Sequence, residues 1–246
     1  MSTSATSRAV TSVLQNRREV AQGTMAFRFD KPPGWSFVAG QYLDLTLIDP
    51  PETDDEGNTR SFTIASAPSE DTLMIATRMR DTAFKRVLKT MSIGGTVTID
   101  GPSGDLTLPE DSSRPVVFLA GGIGITPFRS MLVHATREKL PHRLFLFYSN
   151  RRPEDAPFLV ELSALEKENR RFTLVATMSE MTSSRRPWSG ATGLIDAALL
   201  SRHLKDAVSP IYYVAGPPNM VKALSETLRK QSVPDADIRA EEFSGY

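Results

Sequence analysis

Two kinds of hydrophobic patterning divide the chain near residue 108. Before that point apolar and polar residues alternate in short runs. Gln41-Tyr42-Leu43-Asp44-Leu45-Thr46-Leu47 and Thr96-Val97-Thr98-Ile99-Asp100 keep period two, and Leu73 to Met79 follows it loosely. Such alternation predicts half-buried strands. The runs are punctuated by turn chemistry at Pro32-Pro33-Gly34, Pro50-Pro51, Glu56-Gly57-Asn58 and Gly101-Pro102-Ser103-Gly104. Several short strands at this spacing suggest a small antiparallel barrel. One short helix is expected over 81–88, with Asp81 or Thr82 as its cap. From residue 115 the apolar runs become continuous, at 116–120, Leu144–Tyr148, Phe172–Ala176 and Ile211–Ala215. Runs of that kind fit strands buried on both faces of a parallel sheet. Between them, Phe128, Met131, Leu132 and Ala135 keep helical spacing, as do Phe158, Leu162 and Leu165, and later Met220, Val221, Leu224 and Leu228. These stripes read as core. The expected architecture is therefore two domains: an N-terminal antiparallel β-barrel over residues 1–112, and a C-terminal α/β domain with a parallel sheet over residues 113–246. The polar connection Leu108–Arg114 is short, so the two should pack together around a cleft. In the α/β half a ligand is expected at the carboxyl ends of the strands.

Two loops fall at such ends. The first is Val116-Val117-Phe118-Leu119-Ala120-Gly121-Gly122-Ile123-Gly124-Ile125-Thr126-Pro127, read as a buried strand, a tight turn and the first turn of a helix. Pro127 suits the first helical position, where no N–H is needed, and bare N–H groups at a helix N-terminus attract anions. The stretch departs from the Gly-x-Gly-x-x-Gly fingerprint, because counting from Gly122 the third glycine is replaced by Pro127. Glycines in such turns also serve simply to let a helix pack closely on a sheet. The second loop is Ala215-Gly216-Pro217-Pro218. In the first half, Arg60-Ser61-Phe62-Thr63 puts Arg60 and Phe62 on one strand face and Ser61 and Thr63 on the other. A guanidinium suits a phosphate and a ring can stack on a flat heterocycle. An ordinary strand with an exposed arginine and a core phenylalanine has the same pattern.

Composition narrows the chemistry. The 246 residues are 40% hydrophobic and 24% charged, with 29 basic and 29 acidic side chains. Zero net charge argues against a nucleic-acid partner bound through a strongly basic surface. There is no cysteine, which excludes disulfides, thiolate catalysis, and cysteine-ligated zinc or iron–sulfur clusters. The N-terminal residues carry no apolar signal, and no 18-residue apolar run follows, so a soluble cytoplasmic protein without membrane contact is expected. His134, His142 and His203 lack a second ligand at metal-binding spacing, so they read as surface residues, with no metal site.

Four stretches in order resemble the ferredoxin–NADP reductase family: Arg60-Ser61-Phe62-Thr63, Gly101-Pro102-Ser103-Gly104, Gly121 to Pro127, and Gly216-Pro217-Pro218-Asn219-Met220. The resemblance runs from about Val10 to Phe243. It implies FAD in the barrel and a nicotinamide dinucleotide, NADH or NADPH, in the α/β domain. Arg60 would pair with the flavin phosphates, Phe62 would stack on the isoalloxazine, and Thr63 would hydrogen-bond near flavin N5, with Ser61 in the same motif. The family usually has tyrosine where Phe62 stands, so one hydroxyl contact is missing. Thr77, Arg78 and Met79 match a second FAD segment, and Thr82 and Ala83 open a helix that would meet the pyrophosphate. Gly121, Gly122, Ile123, Gly124, Thr126 and Pro127 would lie beneath the nicotinamide and its pyrophosphate. Ala215 stands where most of the family has cysteine, beside Gly216, Pro217 and Met220. Glu242 matches an acid near the nicotinamide, and Phe243 or Tyr246 would cover the flavin; a frayed terminus is the plainer alternative. Thr63 and Glu242 are the implied catalytic residues. The implied activity is hydride transfer from NAD(P)H to FAD, with electrons passing to ferredoxin, flavodoxin or an oxygenase component. A free-flavin reductase and a non-catalytic flavin- or dinucleotide-binding regulator stay open. So does the choice of dinucleotide: Arg151-Arg152 or Arg185-Arg186 could grip a 2′-phosphate, whereas Trp188-Ser189-Gly190 and Gly193 resemble NADH-using relatives.

Overall fold

In a computed structural model the protein is described over residues 9–243. The first half forms β1 (Val10–Ala21), β2 (Thr24–Asp30), β3 (Tyr42–Leu47), β4 (Thr59–Thr63), β5 (Thr72–Arg78), helix α1 (Ala83–Thr90) and β6 (Thr96–Ser103). The strands pair antiparallel in the order β4-β3-β6-β1-β2-β5. The outer two strands come together where Ala65 N–H donates to the Met74 carbonyl at 2.7 Å, so the sheet curls toward a barrel. Leu14, Phe27, Phe29, Leu45, Ile75 and Ile99 fill the interior, and α1 plugs one end with Phe84 and Leu88. This is the expected antiparallel barrel. Its helix begins at Ala83, directly after one of the two expected caps, and runs two residues beyond Leu88. Thr82 is the cap, its hydroxyl accepting from Lys85 N–H at 3.3 Å, while Asp81 pairs with Arg86.

The second half runs β7 (Val116–Gly121), α2 (Ile125–Arg137), β8 (Leu144–Asn150), α3 (Leu159–Glu168), β9 (Phe172–Met178), β10 (Ala191–Thr192), α4 (Ala197–His203), β11 (Ile211–Gly216), α5 (Pro218–Lys230) and β12 (Ile238–Glu242). The sheet is parallel, ordered β10-β9-β8-β7-β11-β12. Side chains alternate across it. Val117, Leu119, Phe147 and Val214 pack on α4 and α5. Phe118, Leu146 and Tyr213 pack on α2 and α3, in a core that continues into barrel residues Ala26, Ala65 and Met74. Helix α2 thus lies between the two sheets. Phe158, read as the first residue of a helical stripe, instead precedes α3 with φ +61°. His142 is not on the surface: it is buried, with Nε2 2.8 Å from the Pro109 carbonyl oxygen. Among the described residues no helix is long and apolar enough to cross a membrane.

Candidate functional site

The carboxyl edge of the parallel sheet opens into a cleft of about 580 Å³. Gly121 and Gly122 line it from the end of β7, Ser149, Asn150 and Arg151 from β8, Ser179 from β9, and Pro217 and Met220 from β11 and α5. The opposite wall is Arg78 and Arg80, at the end of barrel strand β5. The cleft therefore belongs to both sheets. Its charge is lopsided: Arg78, Arg80 and Arg151 face it with a single carboxylate, Asp155, and that one is held by Arg152 at 2.6 and 2.8 Å. Such a cleft suits a diphosphate. Asn150 is 6% exposed, and neither amide atom has a hydrogen-bond partner. A buried amide in that state calls for a partner from outside the chain, a water, an ion or a ligand in the adjoining cleft.

The glycine loop does two jobs. A Cβ on Gly124 would sit 2.3 Å from the Ala215 carbonyl oxygen, and one on Gly121 would sit 2.2 Å from Met220 Sδ. These two glycines let the β7 turn lie against the β11 loop. Gly122, at φ +50°, lines the cleft. Pro127 does not open the helix. A 3-10 turn, Gly122–Gly124, comes first, and Pro127 is the third residue of α2. Having no N–H, it cannot bond the Ile123 carbonyl one turn back; the Thr126 hydroxyl does so at 3.1 Å. Thr126 is 1% exposed, so its proton is spent within the loop.

On the barrel side Arg60 and Phe62 share a face of β4, as period two requires. The guanidinium carbon lies 5.2 Å from the centre of the Phe84 ring, and Phe62 packs on the same ring at 5.8 Å. Ser61, on the other face, donates to Asp44; Thr63 is buried. Arg60 is not free. Its Nη2 contacts Asp54 Oδ1 at 3.1 Å and Glu56 Oε2 at 2.8 Å. The second Asp54 oxygen accepts from Ala83 N–H, the first residue of α1, at 3.1 Å. One carboxylate thus sits between an arginine and a helix N-terminus, a set of partners that would also suit a phosphate. Thr77 is buried, Met79 packs on the barrel core, and Lys85 Nζ donates to the Arg78 carbonyl at 2.8 Å. Burial, then the charges of Arg80 and Arg60, hold the Lys85 ammonium below its ordinary pKa. A basic strip therefore runs from Arg60 past Lys85 to the Arg80 wall of the cleft.

At the C-terminal end, Ala215 is fully buried and Phe243 N–H donates to the Gly216 carbonyl at 3.0 Å. Phe243 is half-buried against the core beneath. Tyr246 lies outside the described residues. Alternation along β12 puts Arg239 and Glu241 on one face; Arg239 donates to Tyr213 Oη at 2.6 Å. Burial, and then Asp105, push the Glu241 carboxyl up. Of the two adjacent acids, Glu241 is the one partly buried near Asp105, and Glu242, matched to an acid near the nicotinamide, is exposed on the opposite face. Of the four arginines weighed for a 2′-phosphate, only Arg151 lines the cleft. Arg152 is tied to Asp155, and Arg185 and Arg186 border a separate groove beside Arg18 and Trp188. Sequence reasoning missed Arg80, Ser149, Asn150 and Ser179 as cleft residues; the available signal was their position just past β5 or at the ends of β8 and β9.

Known proteins share the sequence pattern and the fold. A family model for the oxidoreductase NAD-binding domain matches residues 118–226. Over 218 residues the chain is 29% identical to the reductase component of propane 2-monooxygenase from Rhodococcus jostii (strain RHA1), covering 87% of this chain and 57% of that protein. It spans about three fifths of the length of the monooxygenase reductases it matches, from 57% to 61%. A ferredoxin–NADP reductase from Neisseria gonorrhoeae, solved with bound FAD and NADP, has the same fold, with a TM-score of 0.78 at 24% identity over 95% of this chain and 98% of that one. Ferredoxin–NADP reductase B of Sorangium cellulosum (strain So ce56) is 31% identical over 225 residues, 87% of this chain and 89% of that protein. The chain belongs to the ferredoxin–NADP reductase family.

Proposed function

We propose that the protein is an FAD-dependent NAD(P)H oxidoreductase, with FAD held by residues 1–112 and the dinucleotide by residues 113–246. Electrons would pass to a protein acceptor: a ferredoxin, a flavodoxin or an oxygenase component. The observation that carries this reading is the basic cleft at the strand ends, walled by Arg78 and Arg80 from the barrel and by Gly122, Asn150 and Arg151 from the parallel sheet. The residues present fit both groups. The Asp54 carboxylate occupies a position built for a phosphate, between Arg60 and α1. The unpartnered Asn150 amide awaits a ligand with donors and acceptors of its own.

Bound FAD would supply the redox chemistry, hydride acceptance from a reduced nicotinamide and release of electrons one or two at a time. The protein's part is to bind and orient. Arg60 and the α1 N-terminus would hold the FAD diphosphate, Phe62 would offer its ring to the isoalloxazine, and Ser61 and Thr63 would belong to the same flavin-binding segment on the other face of β4. Thr77, Met79 and Thr82 shape the second flavin-binding segment. Gly121 and Gly122 would keep side chains out of the dinucleotide path beside Pro217, and Ala215 would lie buried beneath its end. Phe243, tied to Gly216, closes that end. Without cysteine these residues carry no cysteine-ligated cluster, so electrons would leave the flavin for an acceptor outside them. The relatives named as monooxygenase reductase components support an oxygenase as acceptor, and the Sorangium relative supports a ferredoxin. We place the protein in the cytoplasm, where reduced dinucleotide is available.

Desalted protein should remain yellow, and its flavin should bleach anaerobically with NADH or NADPH; bound flavin that neither dinucleotide bleaches sinks the reading. Arg60→Ala should weaken FAD by about 1.5–3 kcal/mol, roughly ten- to a hundredfold, measured as occupancy after dialysis. A second reading, a reductase of free flavin, is favoured by one observation: the Arg60 grip is engaged by Asp54. Colourless protein that is active only with added flavin would select it.

A further inference from the structure

The segment between β3 and β4 is dense in carboxylates: Glu52, Asp54, Asp55 and Glu56 lie within five residues. It does not extend into solvent. Leu47 N–H donates to the Asn58 carbonyl at 2.9 Å and closes its base. Glu52 binds Arg86 on α1 at 2.6 Å, which lays the loop across the start of that helix. Asp54 then reaches Arg60 with one oxygen and Ala83 N–H with the other, both at 3.1 Å, and Glu56 adds a second carboxylate to Arg60 at 2.8 Å. Both groups assigned above to the flavin diphosphate are satisfied by the protein's own anion.

We propose that this acidic loop is an internal competitor for the flavin diphosphate, and that Asp54 sets how tightly, and how exchangeably, FAD is held. The inference rests on the FAD reading above. A diphosphate entering this place must displace Asp54 from Arg60 and from the α1 N-terminus. It must also carry its charge past three further carboxylates unless the loop moves aside. Gly57, at φ +74° with its N–H on the Asp54 carbonyl at 2.9 Å, and Pro50-Pro51 bracket the segment that would swing. Without flavin the loop keeps a basic site neutralised. With flavin bound it is released toward solvent. The device acts on the phosphate end alone, so it distinguishes flavins by their diphosphate and leaves the ring site untouched.

The experiment compares wild type, Asp54→Asn and Glu56→Gln, each stripped of flavin and checked for folding by circular dichroism. FAD, ADP and riboflavin are the probes, followed by flavin fluorescence or, for ADP, calorimetry. FAD and ADP should each bind Asp54→Asn about tenfold more tightly, the effect of removing one charged competitor, with a smaller gain in Glu56→Gln. Riboflavin, which has no phosphate, should be unchanged. If FAD binds wild type but Asp54→Asn binds it equally or more weakly, Asp54 is no competitor and the inference is overturned. A gain that riboflavin shares would place the effect at the ring site and overturn it equally. A folded chain that takes up neither FAD nor ADP in any variant fails the underlying flavin reading, and the competitor with it.

Discussion

An asparagine amide carries two donor hydrogens and two acceptor lone pairs, and at Asn150 they are buried without a partner beside the basic cleft. Leaving buried polar groups unpaired costs about 1–3 kcal/mol each, whereas an apolar group of the same shape costs nothing of the kind. Asn150→Leu should therefore raise the stability of the ligand-free protein by about 1–3 kcal/mol and weaken the binding of NADH and NADPH. Melting curves and dinucleotide titrations on the same samples check both halves. A variant that binds normally would show Asn150 to be a packing residue. Glu241 makes the complementary case for charge. Its pKa is raised by burial and by Asp105, so the folded state favours the protonated acid. The associated stability is fully present below the unfolded value of about 4.3 and is lost as pH rises through the raised folded value. Glu241→Gln should accordingly stabilise the protein at pH 7 and leave it unchanged at pH 4, as read by melting temperature at the two pH values.

Where elements meet, the glycine turn after β7 carries the tightest constraint. A Cβ at Gly124 would lie 2.3 Å from the Ala215 carbonyl oxygen and 2.6 Å from Gly216 N, all of it backbone that cannot rotate away. Gly124→Ala should cost about 1–3 kcal/mol or more by overpacking and pry the β7 turn from the β11 loop, lowering dinucleotide affinity. Gly193→Ala is the control. It has φ +96° but nothing within 4 Å, so it should cost only the backbone strain, about 1–2 kcal/mol, and spare binding. The sequence could show that a turn stood here, because an apolar run ended in glycines; it could not show which glycines lined the cleft. Strands β3, β6, β7, β8, β9 and β11 were legible from their periods. β1 and β2 were not, because β1 is broken by register shifts at Leu14/Asn16 and Glu19/Ala21 and carries Arg17-Arg18-Glu19 on its outer length. The phosphate grip was half legible. Arg60 and α1 were visible as motifs, but Asp54 lies 29 residues from Ala83 in sequence, and only the fold brings its carboxylate between them.

Across the whole molecule, the cleft has its shape because two sheets hold a fixed relation, and one buried side chain does much of that holding. Arg129 of α2 is 2% exposed. It donates to the Ala65 carbonyl at 2.7 Å and pairs with Glu70, just before β5, at 2.8 Å, and with Glu161 of α3. Next to it Ser130 Oγ donates to the Ser66 carbonyl at 2.6 Å. Arg129 thus joins the barrel to both helices on the barrel-facing side of the parallel sheet. Removing one partner of a buried pair strands the other charge, so Arg129→Met should destabilise by about 3–5 kcal/mol. Arg129→Met with Glu70→Gln should recover part of that loss, because the stranded carboxylate is gone. Acid should act through the same pair. Burial raises the Glu70 pKa, but the hydrogen bonds and charge of Arg129 outweigh it and leave the carboxyl below its ordinary value. Its contribution to stability is present above the unfolded value of about 4.3 and is lost as pH falls through the depressed folded value. Denaturant titrations between pH 6 and pH 3 should show wild type weakening at the acid end, with the Glu70→Gln profile flatter there. The same variant separates cohesion from binding: under the proposed function FAD contacts would lie within the barrel, whereas the dinucleotide would need Arg80 opposite Arg151 across the cleft. Loosening the Arg129 joint should leave flavin occupancy intact while slowing its bleaching by NAD(P)H, and a loss of flavin instead would move the joint's role into the barrel itself.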